Sequence, residues 1–169
     1  FAEAVLAELE IRKRRRGILG YDDLLTRLAD ALAGEESAAR QRMSRRWPIV
    51  MVDEFQDTDP VQWTVIDRAF SGVSTVVLIG DPKQAIYAFR GANVHTYLDA
   101  VGSGAARRTL ATNWRSDGAV LRATDALLSG TTYGSPEIAF APVGPAPHHE
   151  HRRITDAEGR PLPAVDLRL

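Results

Sequence analysis

The sequence predicts an α/β fold in which a parallel sheet is flanked by helices. Two short apolar runs, over 49–52 and 75–79, are typical of strands buried on both faces. Amphipathic helical patterns precede and separate these runs, which indicates alternating strands and helices. Carboxylates follow both runs, at Asp53, Glu54 and Asp81. Because open α/β sheets bind ligands beyond the carboxyl ends of their strands, these acids indicate where a site would lie.

The helices around the sheet are predicted from apolar spacing and capping signals. Three are expected before the first strand, over 1–16, 21–33 and 35–46. A fourth begins at Pro60, because Asp59 suits the N-cap position and proline suits the first turn.

After the second strand the patterns become shorter, and proline is frequent from about residue 130. We expect mostly irregular, linker-like structure over 130–163. The other expected elements are a helix over 96–101, a strand over 108–112, a helix over 117–128 capped by Asp117, and the start of an edge strand over 164–169.

The composition excludes several classes of protein. The 169 residues are 44% hydrophobic and 25% charged, unlike collagen-like, membrane-spanning or wholly disordered chains. Cysteine is absent, which excludes disulfide scaffolds, thiol nucleophiles and cysteine zinc sites. The first residues carry charge and form no signal peptide, so we expect a cytoplasmic protein. Phe1 is not an initiator residue, so we expect the chain to be a piece of a longer one.

Asp53 and Glu54 form an acidic pair at the end of the first strand. A Mg²⁺–nucleotide site needs such a pair, since one carboxylate holds the hydrated metal and its neighbour orients or deprotonates the attacking water. Taken alone, the pair also fits a strand end with helix-capping acids.

A second polar segment follows the second strand. Gln84 lies just past the strand end, where a side-chain amide can sense a terminal phosphate. Tyr87, Phe89 and Arg90 interleave aromatic rings with a cation, which is typical of platforms that stack single-stranded bases. Taken alone, these three residues also fit core aromatics beside a surface charge.

The third segment, Asn113-Trp114-Arg115-Ser116, places an arginine between a predicted strand and a predicted helix. An arginine there can reach a phosphate site of a neighbouring domain. By itself this observation does not distinguish Arg115 from any surface arginine.

Together the three segments resemble a known family. In order and spacing, DEFQDT over 53–58, GDPKQAIYAFRGA over 80–92 and NWRS over 113–116 resemble motifs II, III and IV of the UvrD/Rep-type superfamily 1 DNA helicases. Within that family, the residues of the three motifs are most similar to those of RecB-type subunits of exodeoxyribonuclease V. YDDLL over 21–25 and EIAFAPV over 137–143 extend the resemblance to residues 21–143.

The resemblance implies roles in ATP hydrolysis. Asp53 would hold Mg²⁺ through water, and Glu54 would be the catalytic base. Gln84 would contact the γ-phosphate and couple it to the DNA site, while Arg115 would stabilise the γ-phosphate across an interdomain cleft. Gln56 and its neighbours over 57–58 match family positions and are assigned only support of the site.

The resemblance also implies contacts with DNA. Tyr87, Phe89 and Arg90 would contact single-stranded DNA. The sequence departs from the family pattern at Asn93, where aspartate is usual, although a cap or turn role survives that change.

The family pattern further implies two partial RecA-like motor domains. Residues 1–106 would be the C-terminal part of the first, and residues 107–169 the start of the second. Neither lysine, Lys13 or Lys83, belongs to a Gly-Lys-Ser/Thr phosphate loop. We therefore expect this chain alone neither to hydrolyse ATP nor to unwind DNA, and to self-associate through sheet surface that the missing half would cover.

For the complete protein, the resemblance implies a helicase–nuclease of double-strand-break repair and recombination. Its partners would be single- and double-stranded DNA and RecC- and RecD-like subunits. The carboxylate cluster of a nuclease is not in this sequence. Alternatives are an AddA- or UvrD-like helicase, a non-catalytic module that binds DNA or protein, and an ATP-independent scaffold domain.

Two charged clusters outside the motifs are open to interpretation. His148, His149 and His151, with Glu150, fit a solvated loop better than a metal site, because a metal needs fixed geometry. The basic run over 12–16 fits a solvated helix end that complements the helix dipole, with contact to DNA phosphates as the alternative.

Overall fold

A computed structural model describes residues 1–34, 36–88, 91–104, 106–151 and 155–166. The chain divides into two compact units, Phe1–Ser103 and Gly104–Leu169. The assignment of these parts to successive motor domains stays a prediction.

Within the described residues, the first unit is built from five α-helices and a two-stranded parallel sheet. Two 3-10 turns, Phe55–Asp57 and Pro82–Gln84, follow the two strands. In chain order the elements are α1 (Ala2–Arg16), α2 (Tyr21–Ala31), α3 (Ala38–Arg46), β1 (Ile49–Val52), α4 (Pro60–Phe70), β2 (Thr75–Leu78) and α5 (Val94–Gly102).

The sheet brings the carboxyl ends of β1 and β2 side by side. The strands pair in parallel, with Val52 opposite Leu78 at the end of the ladder. Ladder hydrogen bonds continue past the strands, from Ile79 N to Val52 O (2.8 Å) and from Phe55 N to Ile79 O (2.9 Å). The residues that follow each strand therefore leave the sheet at the same edge.

The core lies between one face of the sheet and helices α2, α3 and α4. Val50 and Val76 pack from the strands against a cluster of buried side chains on the helices. That cluster comprises Ala29, Leu32, Val65, Ala69 and Phe70.

The opposite face of the sheet is exposed. Ile49 is 64% exposed and Met51 is 65% exposed. The prediction that β1 and β2 are buried on both faces is therefore wrong for this chain, because side chains alternate along a strand and the core lies on one side only.

Helix α4 begins as its capping signals predict. The Asp59 carboxylate accepts hydrogen bonds from Val61 N (2.8 Å) and Gln62 N (2.9 Å). The Gln62 side chain accepts one from Asp59 N in return (3.3 Å), which completes a capping box. Asn93 caps α5 in the same manner, by accepting a hydrogen bond from His95 N. The expectation of a cap role at Asn93 is confirmed.

In its described part, the second unit contains one α-helix and short strands. In chain order these are β3 (Thr112–Asn113), α6 (Gly118–Leu128), β4 (Thr132–Tyr133), β5 (Ser135–Ala139) and β6 (Gly144–Pro145). Strands β3 and β6 pair in parallel, and β4 and β5 form an antiparallel hairpin. Gly134 turns the hairpin with a φ of 73°, a conformation that glycine adopts without steric cost.

Several predictions for the second unit are wrong in detail. The strand expected over 108–112 is limited to Thr112–Asn113, and the expected irregular segment over 130–163 contains the β4–β5 hairpin. Residues 164–166 form no strand, and 167–169 lie outside the described residues. Asp117 occupies the N-cap of α6 without a side-chain cap hydrogen bond, because its carboxylate contacts His149 Nδ1 instead (3.3 Å). The overall prediction of an α/β fold with a parallel sheet and flanking helices is confirmed.

Candidate functional site

The residues predicted to act on a nucleotide meet at the carboxyl edge of the first unit's sheet. Asp53 and Glu54 follow β1 directly, and Asp81 follows β2 by three residues. Because β1 and β2 are neighbours in parallel, the structure places these acids at one edge. Asp53 and Glu54 are both exposed there.

Glu54 has an unusual backbone conformation. Its φ is 51°, and among the described residues other than glycine it alone has a positive φ. This left-handed conformation costs about 1–3 kcal/mol for a residue with a side chain, and such strain is often found at functional sites. It ends the strand and starts the 3-10 turn that carries Gln56.

Gln56 joins the two strand ends through its side-chain amide. Gln56 Nε2 donates a hydrogen bond to Glu54 Oε2 (2.7 Å). Gln56 Oε1 accepts one from Asp81 N (2.9 Å). Gln56 is 1% exposed, so its end of each bond is buried although Glu54 is exposed.

Gly80 makes room for this amide. A Cβ at position 80 would lie 2.7 Å from Gln56 Oε1 and 3.2 Å from Gln56 N. Real Cβ atoms do not come so close to an oxygen, so a side chain at this position would displace Gln56. The close approach of the two strand ends therefore requires glycine.

Phe55 holds the 3-10 turn by packing its buried ring against neighbouring aromatic side chains. It is 1% exposed and contacts Trp63 edge-on, with ring centroids 5.1 Å apart. Its ring also lies 5.9 Å from that of Tyr97, whose hydroxyl donates to Gly80 O (3.4 Å). Aromatic packing thus holds the turn in place while its polar residues stay at the edge of the sheet.

Gln84 is tied to the end of β2 through Asp81. Gln84 Nε2 donates to Asp81 Oδ2 (3.2 Å), and Lys83 Nζ donates to Asp81 Oδ1 (2.7 Å). Burial raises the pKa of Asp81, but the hydrogen bonds from Lys83 and Gln84 outweigh burial and hold that pKa below its usual value. Asp81 is therefore a charged anchor that orients the exposed Gln84 amide.

A cavity of about 480 Å³ opens beside the acidic pair. Asp53, Glu54 and Asp57 line it. Asp57 Oδ1 is buried and has no hydrogen-bond partner among the described residues. Because a buried acceptor without a donor is costly, this oxygen fits a donor from outside the described residues.

The predicted DNA-binding cluster is only partly described. Tyr87 is 37% exposed and follows the turn that carries Gln84. Phe89 and Arg90 lie outside the described residues. The aromatic platform stays a prediction.

Arg115 lies in the second unit. The Asn113 side chain accepts hydrogen bonds from Arg115 N and Ser116 N, both 2.8 Å, and so shapes the turn after β3. The Arg115 side chain is exposed. Trp114 is 67% exposed, and its ring lies 5.9 Å from the ring of His148.

Two residues gain importance that the sequence analysis did not give them. Gln56 was assigned support only, yet it bridges both strand ends. Asp81 was placed at the sheet edge without a role, yet it holds Gln84 and Lys83. The sequence signal that could have singled out both residues is their position just after the two strands. The hydrogen bond between residues 56 and 81 could not be predicted from it, because that bond depends on tertiary structure.

Comparison with known proteins identifies the family. The sequence profile of the UvrD/REP helicase N-terminal domain matches residues 1–103, which are the whole of the first unit. The chain belongs to the UvrD/REP helicase family. The resemblance found in the three motifs is confirmed.

The curated relatives of the chain are RecB subunits. The RecBCD enzyme subunit RecB of Mycolicibacterium smegmatis is 66% identical over 91% of this chain. The corresponding subunits of Mycobacterium tuberculosis and Escherichia coli are 53% and 44% identical over 96% and 93% of this chain. The chain spans about one seventh of the length of these relatives, 14–15%. It is therefore a RecB-like region of a UvrD-type helicase.

Two further observations concern metals and membranes. No group of three or more His, Asp or Glu side chains within the described ranges is arranged to hold a metal ion. His149, in the histidine cluster, pairs with Asp117, and both side chains are mostly buried, unlike those of a solvated loop. In the part of the chain that the structure describes, no helix is both long and apolar enough to cross a membrane.

Proposed function

We propose that this chain is part of an ATP-driven DNA helicase of the RecB type, in which ATP hydrolysis drives translocation along a single strand. The observation that carries the proposal is the joined edge of β1 and β2, where Gln56 links Glu54 to Asp81 and Asp81 holds Gln84. A base and a phosphate sensor connected in this way suit a motor that must respond to its nucleotide.

The donor set fits Mg²⁺ bound together with ATP. Mg²⁺ keeps several waters and uses one or two carboxylates plus phosphate oxygens, so it does not need a cage of three acids. Asp53 would hold the ion through water, and Asp57 adds a second acid to the lining of the same cavity. The ion would neutralise charge on the phosphates.

The chain's own residues would then prepare the attacking water and read the phosphate. Glu54 would accept a proton from that water, with its carboxylate oriented by Gln56. Gln84 would contact the γ-phosphate through an amide that Asp81 orients. Arg115 would stabilise the same phosphate from the second motor domain.

On the DNA side, Tyr87, Phe89 and Arg90 would stack on and pair with single-stranded DNA. The complete protein would assemble with RecC- and RecD-like subunits, by analogy with the name of its relatives. Nuclease activity would reside in another part of the complete protein. The 169-residue chain by itself would lack ATPase and helicase activity, because it has no phosphate loop.

Glu54→Gln in the complete protein tests the proposed chemistry. We expect ATP turnover to be abolished while nucleotide binding persists, because the amide cannot accept the proton but keeps the shape of the side chain. Steady-state turnover and fluorescent-nucleotide titration measure the two effects. Asp67→Asn, which changes an exposed acid on α4, is the matched control. Unchanged turnover in Glu54→Gln would remove Glu54 as the base.

Phe89→Ala tests the DNA side separately. If Phe89 stacks on a base, the substitution weakens affinity for single-stranded DNA by about 1–3 kcal/mol. Fluorescence anisotropy with a labelled oligonucleotide at fixed salt concentration measures the loss. Wild-type affinity would instead place Phe89 in the core.

A further inference from the structure

Gln56 occupies a position that goes beyond support of the site. It is among the largest fully buried side chains in the described part of the chain, and both ends of its amide are hydrogen-bonded. Its donor faces the Glu54 carboxylate and its acceptor faces the backbone of Asp81. A buried amide satisfied at both ends holds one orientation, because any rotation leaves a polar group unpaired.

We propose that Gln56 is a positioning residue that orients the Glu54 carboxylate and couples it to the turn carrying Gln84. The inference rests on the proposed function, in which Glu54 is the base and Gln84 contacts the γ-phosphate. It adds a physical connection between the residues that follow β1 and those that follow β2.

The first part of the role is orientation of the base. Gln56 Nε2 lies 2.7 Å from Glu54 Oε2, so the amide holds that oxygen. Glu54 lines the cavity together with Asp53 and Asp57, so the oriented carboxylate belongs to the cavity wall. Glu54 and Gln56 are two residues apart in the sequence, and the left-handed backbone at Glu54 lies at the start of the turn in which their side chains meet.

The second part of the role is coupling. Gln56 Oε1 accepts from Asp81 N, and the Asp81 carboxylate accepts from Gln84 Nε2. The contacts therefore run without a gap from Glu54 through Gln56 and Asp81 to Gln84. A displacement of Gln84 by the phosphate would act on the hydrogen bond that orients Glu54. Such a route is established only by measured coupling energies, so the test includes a double-variant cycle.

Gly80 supplies an independent way to break the same connection. A Cβ there meets Gln56 Oε1 at 2.7 Å, and the backbone of Gly80 does not need a positive φ. Gly80→Ala thus disturbs Gln56 through space, without altering its chemistry. Gly102→Ala is the matched control, because nothing lies within 4 Å of a Cβ at position 102.

The experiment measures DNA-stimulated ATP turnover of the complete protein as a function of pH and ATP concentration. In Gln56→Leu and in Gly80→Ala we expect kcat to fall about 10–100-fold with little change in KM for ATP, a loss comparable to that caused by removing a residue that orients a metal ligand. Because both variants break one connection, the double variant is expected to be no worse than the more severe single variant.

Gln56→Glu separates positioning from mere stability. It keeps the size of the side chain and an acceptor for Asp81 N, but it places a second carboxylate against Glu54. We expect the acid limb of the kcat–pH profile to move to higher pH by about one unit, because like charges favour protonation of one partner. Gln41→Glu, an exposed glutamine on α3, is the control and should leave the profile unmoved.

The outcomes distinguish the proposals. Wild-type kcat in Gly80→Ala together with an unmoved pH profile in Gln56→Glu overturns the positioning role. Activity loss that follows thermal stability, with an unmoved profile, also overturns it. If Gln56→Leu does not fold, the other two variants decide the result. Unchanged ATP turnover in Glu54→Gln overturns the proposed function itself. If turnover is abolished in Glu54→Gln but the Gln56 variants turn over ATP as the wild type does, only the positioning role is overturned.

Discussion

At the scale of single residues, the site depends on a few polar side chains that are held by others. Asp81 is an example, because its carboxylate accepts from Lys83 Nζ, Lys83 N and Gln84 Nε2. Each of these bonds favours the ionised form, and together they outweigh the effect of partial burial on the pKa. The charge of Asp81 is therefore part of the folded state.

The lowered pKa of Asp81 predicts a pH dependence of stability. A carboxyl whose pKa is lower in the folded than in the unfolded state contributes stability above the unfolded pKa, about 3.9, and this contribution is lost as the pH falls through the folded pKa. In Asp81→Asn we expect a shallower loss of stability below about pH 4 than in the wild type. Urea unfolding of the chain across acidic pH measures the difference, and Asp67→Asn is the control. Identical acid profiles for wild type and Asp81→Asn would contradict the assignment.

At the scale of elements, helices α2 and α4 hold the sheet in place. Leu32 is 1% exposed and packs in the same cluster as Ala69 and Phe70. Arg68 Nη1 adds a hydrogen bond to Ala29 O (2.6 Å), which joins the end of α4 to the end of α2. The edge that carries the acidic pair is therefore supported by helix packing on the inner face of the sheet.

Leu32→Ala tests this support. Deleting a fully buried leucine side chain removes apolar contacts and leaves a cavity, so we expect a loss of about 2–5 kcal/mol in the free energy of unfolding. Leu24→Ala on α2, the helix that Leu32 caps, is the matched control, since Leu24 is 52% exposed and should change stability by less than about 0.5 kcal/mol. Denaturant unfolding monitored by circular dichroism compares the variants. Equal losses at both positions would contradict the location of the core.

At the scale of the whole molecule, the exposed face of the sheet is the feature that sets the behaviour of the chain. Ile49 and Met51 project from β1 and are each about two thirds exposed, and Val77 on β2 is 38% exposed. Adjacent apolar side chains on an open sheet are a surface that another segment or molecule normally covers. The relatives are about seven times longer than this chain, so they contain ample sequence to do so.

We therefore expect the isolated chain to self-associate through this face. Replacing Ile49 and Met51 together by threonine, which suits a strand, should shift the chain toward monomer without unfolding it. Sedimentation velocity over a concentration series measures the shift. Leu110→Thr is the control, because Leu110 is 85% exposed but lies in the second unit. A wild-type chain that stays monomeric at every concentration would contradict the prediction.

Local sequence signals predicted elements where the cause is local. The Asp59-Pro60 signal places the start of α4, because a capping hydrogen bond spans only two or three residues, whereas the helix expected over 96–101 begins two residues earlier, after the Asn93 cap. The strand prediction for β1 matches Ile49–Val52, because the apolar run that predicts it is also a local signal. The predicted strand over 108–112 is wrong, because a strand forms only where a partner is available, and here β6 pairs with Thr112 and Asn113 alone.

By itself, the sequence determined the fold class and the edge of the sheet where the acids lie, since these follow from residue order and periodicity, and its three motifs indicated the helicase family by resemblance. Only the tertiary structure decided which face of β1 is covered and that Gln56 joins Glu54 to Asp81. The physical reason is that both depend on groups distant in the chain: Asp81 lies 25 residues from Gln56, and the bond between them forms only when parallel pairing of β1 and β2 brings their ends together.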